Sequence, residues 1–400
     1  MNTHRIITGD CIEGMKTLPD GCIHTCITSP PYFGLRAYGG GEEEIGQEDT
    51  VEGYVQKMTE VFREVKRILR DDGTLWLNLG DSYMSAKNCA PPPQTVGGQR
   101  GMPSDFVPPN RKDQKGLKTK DLIGIPWRVA FALQADGWYL RQDIIWSKPN
   151  PMPESVEDRC TKAHEYIFLL SKKPHYYYDH EAVKEPARNW GTRDRSEMRN
   201  GTDDPKLKHH GLKGKDWEEN PLKNKRSVWT VNTKGYKGAH FAVYPEELVT
   251  PCVLAGTSKH GCCSNCGAPY EQVVNHPGNP AGILGHKGVP NTANTSGSSG
   301  KKGKPVVHTE NGVRLKKGHN PTQYSKSEPT DEWTPTCNCK DTSIVPCTVF
   351  DPFTGSGTTA VVALKHGRNY IGTELNPEYV TIAENRIKED VPQTLSEFLA

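Results

Sequence analysis

Apolar positions along this chain follow two alternating rhythms. Short runs rich in β-branched and aromatic residues predict strands: HRIITGD (4–10), CIHTCITS (22–29), TLWLNLGD (74–81), WYLRQDIIWSK (138–148) and HEYIFLLSK (164–172). Helical spacing lies between them. From Val51 the apolar positions continue at Tyr54, Val55, Met58, Val61, Phe62, Val65, Ile68 and Leu69, one face of a long helix, with Gly73 just beyond. Cys11 to Leu18 and PWRVAFALQADG (126–137) predict shorter helices. Downstream the pattern resumes with PEELVTPCVLAG (245–256) as helix, CTVFDPF (347–353) as strand, TTAVVALKHG (358–367) as helix, RNYIGTEL (368–375) as strand and NPEYVTIAENRIKED (376–390) as helix. Strands alternating with helices predict an α/β fold, a mostly parallel sheet flanked by helices on both faces.

Three stretches break the rhythm: residues 85–120, 186–235 and 257–346. They account for a chain of 400 residues that is only 34% apolar, with a mean hydropathy of −0.70. The net charge of +2 points to no partner, but its distribution is uneven. Ala187 to Arg226 holds 11 Lys/Arg against 7 Asp/Glu, and His286 to Lys326 holds 8 against the single Glu310. By composition such runs are solvated loops, and a phosphate backbone is the partner that would use them. No run approaches the roughly 18 apolar residues of a membrane span, and MNTHRIITGD lacks a signal-peptide core. A cytoplasmic protein with no membrane partner is expected, whose 12 cysteines are thiols or metal ligands.

Two stretches carry chemistry. In VFDPFTGSGTTAVVAL (349–364) a strand meets a glycine turn and a helix start. Gly355 and Gly357 permit a tight turn and close backbone approach, Thr358 and Thr359 are candidate helix caps, and Glu374 ends the next strand, where it can accept from ribose hydroxyls. The same glycines fit a nicotinamide-binding turn. Asp351 favours S-adenosylmethionine, because a carboxylate there repels a pyrophosphate and suits an ammonium group. In ITSPPYFGL (27–35) the strand stops at Pro30 and Pro31, which leaves Ser29, a stiff carbonyl and Tyr32 at its carboxyl end.

Taken with TGDCIEGMKTLPDG, IIWSKPNPMPESVEDRCTKAHEYIFLL, KGAHFAVYPEELV and IGTELNPEYVTIAENRI, these stretches resemble a prokaryotic or phage β-class amino DNA methyltransferase, in which the catalytic block precedes the cofactor block. The resemblance implies a Rossmann-like S-adenosylmethionine-dependent fold. It divides the chain into a catalytic block (1–84), a flexible insertion (85–120), core (121–185), a target-recognition region (186–235), core packed on the methionine side (236–256), an insertion (257–346) and a cofactor block (347–391). It makes Ser29, Pro30, Pro31 and Tyr32 catalytic. Ser29 Oγ and the Pro30 carbonyl would accept from a base amine and Tyr32 would stack on a base flipped from the duplex. Asp10 and Cys11 would lie beside the adenine of the cofactor, Glu374 would hold its ribose, and Asp351, Phe353, Gly355 and Gly357 would surround its methionine part, with Phe241 packed above. Serine at position 29 is associated with cytosine N4 as the target, and adenine N6 is the alternative. Double-stranded DNA is the implied partner, with a cognate restriction endonuclease as a second.

Cys263-x-x-Cys266 and Cys337-x-Cys339 are two close cysteine pairs on turn-forming sequence, and four thiolates suit structural zinc in a ribbon, with Cys262 a possible substitute ligand. Trp190, Trp217 and Trp229, with Arg188, Arg193, Arg195 and Arg199 nearby, single out 186–235 for target recognition. Rival readings are a protein or RNA methyltransferase on the same scaffold, a non-catalytic zinc-ribbon nucleic-acid binder, and a nicotinamide dehydrogenase.

Overall fold

The computed structural model describes residues 2–34, 44–84, 114–186, 222–234, 243–275, 328–340 and 343–391. In chain order the elements are β1 (His4–Thr8), α1 (Cys11–Lys16), β2 (Ile23–Thr28), α2 (Val51–Ile68), β3 (Leu69–Leu79), α3 (Ile125–Ala135), β4 (Tyr139–Ser147), β5 (His164–Ser171), β6 (Glu185–Pro186), β7 (Leu222–Lys223) and β8 (Val228–Thr230). There follow α4 (Glu246–Gly256), β9 (Cys262–Cys263), β10 (Tyr270–Asn275), β11 (Glu328–Pro335), β12 (Ile344–Val345), β13 (Thr348–Asp351), α5 (Thr358–Lys365), β14 (Asn369–Glu374) and α6 (Pro377–Asp390). The chain forms two compact units. One comprises residues 1–270 and 335–400, the other residues 271–334, whose described part is the pairing of β10 with β11.

Eight strands of the larger unit form one sheet in the order β1-β14-β13-β2-β3-β5-β4-β8. Neighbours from β1 to β3 run parallel, β5 is antiparallel to both β3 and β4, and β8 is parallel to β4. The two-residue period of the strands divides the core. Cys26, Leu75, Leu77, Phe168, Leu170 and Phe350 pack on the face covered by α1, α2 and α3. Their chain neighbours Ile27, Trp76, Ile167, Leu169 and Val349 pack on the other face, with α4 and α5. Both faces are therefore dry, which explains why β2 is buried along its whole length. The helix predicted from Val51 ends at Ile68, and β3 begins at once, so Gly73 lies within a strand rather than beyond a helix end.

Trp229, expected to face DNA, belongs to the core. It is 6% exposed, its ring lies 6.3 Å from that of Trp76, and its Nε1 donates to the Arg226 carbonyl. An isolated tryptophan among charged residues looked available, but β8 adds it to the sheet edge over β4. Trp190, Trp217 and the four arginines of that region lie outside the described residues, as do Phe241 and the basic run 286–326.

Candidate active site

Order within the sheet brings together what the sequence separates. β13 leads onward to β14 on one side, while β2 leads to β3 on the other, so the carboxyl ends of β2 and β13 flank the point where the direction of winding reverses. Open α/β sheets hold their ligands in such a crevice. Thr28, the last residue of β2, donates from Oγ1 to Asp351 Oδ1 at 2.7 Å, across 323 positions of chain. Ser29 and Pro30 therefore start beside the strand that ends in the glycine loop.

The SPPY stretch is held from several sides. Pro30 is buried, and the Pro31 carbonyl accepts from Tyr54 of α2 at 2.8 Å. Among the described residues no donor takes the Pro30 carbonyl. Tyr32 lies against Gly80, where an added Cβ would stand 2.5 Å from its ring. Its hydroxyl donates to Glu165 Oε2 at 2.8 Å and lies 3.4 Å from Ser29 Oγ. Asn78 Nδ2 also donates to Glu165 Oε2, at 3.2 Å, and Lys148 pairs with the other oxygen of that carboxylate. Lys162, half-buried, donates to the Asp81 carbonyl, and burial holds its ammonium below the usual lysine range.

Asn78, Lys148 and Glu165 were not singled out in the sequence. Asn78 left a signal: one amide, 4% exposed, inside the apolar run TLWLNL. A polar group so placed must have partners. Lys148 and Glu165 gave none, because one lies just past the end of β4 and the other at the start of β5, where charge is ordinary.

The glycine loop is tied to its acid. Glu374 Oε2 accepts from Gly355 N at 2.8 Å and Oε1 from Asn376 N at 3.0 Å, which leaves one acceptor position on each oxygen. Burial pushes the carboxyl above its ordinary range. Gly355 and Gly357 both lie in the left-handed region, at φ 51° and 79°, and a Cβ on Gly357 would come within 3.0 Å of that of Ala383. Gly357 is the helix N-cap and no side chain caps α5. Thr358 instead accepts from Arg386 at 2.7 Å, and Thr359 donates to Asp351 Oδ2 at 2.8 Å, so neither fills the cap role expected of it.

Asp351 is fully buried, and burial raises its pKa. Oδ1 accepts from Thr28 and from Phe353 N (2.9 Å), Oδ2 from Thr359 and from Tyr244 (3.2 Å). Four donors saturate the carboxylate. It can act on a ligand cation as a buried charge, with no acceptor position left over in this arrangement. Phe353 is half-buried beside the loop. Asp10 caps α1 through Oδ1, which accepts from Glu13 N at 3.0 Å. Cys11 is 5% exposed, and burial pushes its thiol up to about 12, so it is an inert surface rather than a nucleophile. Cys252, which follows Pro251, is closed off inside α4, and Cys347, which follows Pro346, sits at the amino end of β13, so neither cysteine supplies a nucleophile here.

A cluster of apolar surface, left-handed glycine backbone and a half-satisfied carboxylate fits a nucleoside with an amino-acid tail, which is the shape of S-adenosylmethionine. The sulfur atoms of Cys263, Cys266, Cys337 and Cys339 lie within 4.8 Å of one another. Cys262 does not join them: it packs with His24 and Cys347 in a separate buried group.

Residues 23–264 and 340–385 match a family described as DNA methylase, of N6 and N4 amino-methyltransferases. The Type II methyltransferase M.SmaI of Serratia marcescens is 38% identical over 96% of this chain and 90% of its own length. M.Cfr9I of Citrobacter freundii is 36% identical over 97% of this chain and 89% of its own. Among solved structures, PvuII DNA methyltransferase (cytosine-N4-specific) shares the fold, with a TM-score of 0.50 at 15% identity over 100% of this chain and 90% of that one. The match covers the strand that leads to Ser29, the strand that ends at Asp351 and the bond between them, and the chain belongs to the DNA methylase family of amino-methyltransferases.

Proposed function

We propose that this chain transfers a methyl group from S-adenosylmethionine to the exocyclic N4 amine of a cytosine flipped out of double-stranded DNA. The observation that carries this reading is the Thr28–Asp351 hydrogen bond, which ties the residue before Ser29 to the strand that leads into the glycine loop. When bound, S-adenosylmethionine supplies a methyl carbon activated by a sulfonium leaving group.

The chain's own residues do the rest. Ser29 Oγ and the Pro30 carbonyl accept hydrogens of the base amine, favouring a pyramidal nitrogen with a usable lone pair. The prolines and the Tyr54 clamp keep both acceptors in place, so little reorganisation accompanies the growth of positive charge. Glu165, held by Lys148 and Asn78, fixes the Tyr32 ring as a stacking surface. Glu374 takes the ribose hydroxyls with its two remaining acceptor positions. Asp10 and Cys11 border the adenine, while Phe353, Gly355 and Gly357, with the charge of Asp351, border the methionine part.

Target recognition is assigned to residues within 186–235. A structural zinc ion belongs to this reading, since the four cysteines converge away from Ser29. By analogy with its Type II relatives the enzyme would protect cytoplasmic DNA from a cognate endonuclease. Among the described residues no helix is long and apolar enough to cross a membrane. The test is expression in a host lacking amino-methylated bases, digestion of its DNA to nucleosides and mass analysis. N4-methylcytosine supports the proposal. N6-methyladenine would overturn the choice of base, and neither product would overturn the activity.

A further inference from the structure

We propose that Cys263, Cys266, Cys337 and Cys339 form a closed tetrahedral zinc site that braces the amino ends of the central strands, on the side of the sheet opposite the reacting groups. Four sulfurs around one zinc at about 2.3 Å stand about 3.8 Å apart. The four Sγ atoms already lie within 4.8 Å of one another, without a disulfide among them. Cys266 and Cys339 are exposed, where bare neighbouring thiols invite oxidation and a redox-inert ion protects them.

The backbone is shaped for a metal. Gly267 takes the left-handed conformation at φ 68° and its N–H returns to the Cys263 carbonyl at 2.8 Å, while Cys263 N donates to Ala268 O at 2.9 Å. This tight knuckle turns both sulfurs of Cys-x-x-Cys to one point.

The neighbouring trio of His24, Cys262 and Cys347 shows what a non-site looks like. His24 Nδ1 accepts from Thr348 N at 3.0 Å, so Nε2 carries the proton and donates to Gly267 O at 2.9 Å. Neither ring nitrogen has a lone pair for a metal. The trio is packing beneath the knuckle, and the four cysteines are the metal set.

Each attachment of the knuckle is at a strand's beginning. Gly267 is held by His24 near the start of β2, and the Cys266 carbonyl accepts from Arg70 at the start of β3, itself paired with Asp72 at 2.9 Å. β9 pairs with β12, which runs through Cys347 into β13. Ser29 follows the far end of β2 and Asp351 ends β13, and six residues of β2 span about 17 Å. An ion there has no open position and no route to substrate. Between the pairs the chain leaves at Tyr270 and returns at Pro335, so the metal fastens both roots of the unit formed by residues 271–334.

The experiment uses the full chain purified under reducing conditions from zinc-supplemented culture. Elemental analysis should give about one zinc per chain, and cobalt exchange should give thiolate charge-transfer bands with tetrahedral d–d transitions. Cys337→Ser/Cys339→Ser should fall below about 0.2 zinc per chain, while Cys339→His, which keeps a fourth ligand, should restore most of it. S-adenosylmethionine affinity of Cys339→His should stay within about twofold of wild type, because its ligands lie at the other strand ends. A replete wild type with less than about 0.2 metal per chain, iron in place of zinc, or paired disulfides after reductive purification would overturn the proposal. These readouts involve no DNA methylation, so they stand or fall independently of the base modified.

Discussion

Replacing Asp351 tests whether its carboxylate is a ligand group or an internal hub. Asp351→Ala removes the acceptor of four donors. Two can find other partners, since Tyr244 and Thr359 already contact one another and Thr359 Oγ1 reaches the Ile27 carbonyl at 3.4 Å. The Phe353 N–H and the Thr28 hydroxyl are left buried without an acceptor. At about 1–3 kcal/mol each, the loss in folding stability is about 4 kcal/mol, which lowers Tm by roughly 5–10 °C. Asp351→Asn keeps Oδ1 for Phe353 and Thr28 and should cost about 1–2 kcal/mol. For the cofactor the order reverses the intuition drawn from charge alone. Asp351 acts only through space, so the Asn variant should raise the S-adenosylmethionine Kd about 3- to 10-fold. Glu374→Ala removes two available acceptor positions and should raise it about 10- to 150-fold. Thermal melts of the two Asp351 variants, with calorimetric titrations of Asp351→Asn and Glu374→Ala, give all four quantities. 5′-Methylthioadenosine, which lacks the ammonium end, should bind Asp351→Asn like wild type and Glu374→Ala poorly. An unchanged melt for Asp351→Asn, joined to a larger cofactor loss than for Glu374→Ala, would refute the hub and return Asp351 to the ligand.

Ser29→Ala should keep fold, cofactor and DNA binding but lose turnover, with the loss in kcat rather than KM, as measured in single-turnover assays; an unchanged kcat moves the acceptor role to the Pro30 carbonyl. Glu374, raised by burial above the ordinary 4.5, should make S-adenosylmethionine affinity fall with decreasing pH from a point above that value, whereas Glu374→Gln should give a flat profile. For folding of the ligand-free chain the sign is opposite: the contribution of Glu374 is present below pH 4.5 and is lost as pH rises through its raised value. Gly80→Ala puts a methyl 2.5 Å from the Tyr32 ring, which must move aside, so kcat should fall about 10- to 100-fold with cofactor affinity unchanged in titration.

Element types were legible because both periods are strong in this chain: α2 runs as its apolar face dictates, and β2 and the carboxyl-terminal halves of β3 and β5 are buried on both faces because both faces are covered. The two prolines and the glycine loop were legible too, since each breaks a strand in a way only special backbone tolerates. What the sequence hid was adjacency. Thr28 and Asp351 carry no mark of being partners, and the saturation of Asp351 needs Tyr244 and Thr359 from two further places. Helix start chemistry misled at Thr358, because Gly357 at positive φ already turns the chain and frees the hydroxyl for Arg386. Trp229 misled for the opposite reason: it follows the basic run Lys223 to Arg226, but its neighbours in space are Trp76 and the strands of the sheet.

The order of strands has a consequence for how this chain is made. Among the described residues β1 pairs with β14 alone, and β13 fills the place between β14 and β2. β1 therefore waits for a strand made much later, since the contact of Thr3 with Asn369 spans 366 positions. At about 5–20 residues per second that is roughly 20–70 s of synthesis. Through that interval β2, which the finished fold buries along its whole length, has an unpaired edge where β13 will later insert. The nascent chain thus carries a sticky half-sheet through that interval, and slow translation or scarce chaperones should reduce the yield of this enzyme more than the stability of its finished fold would suggest.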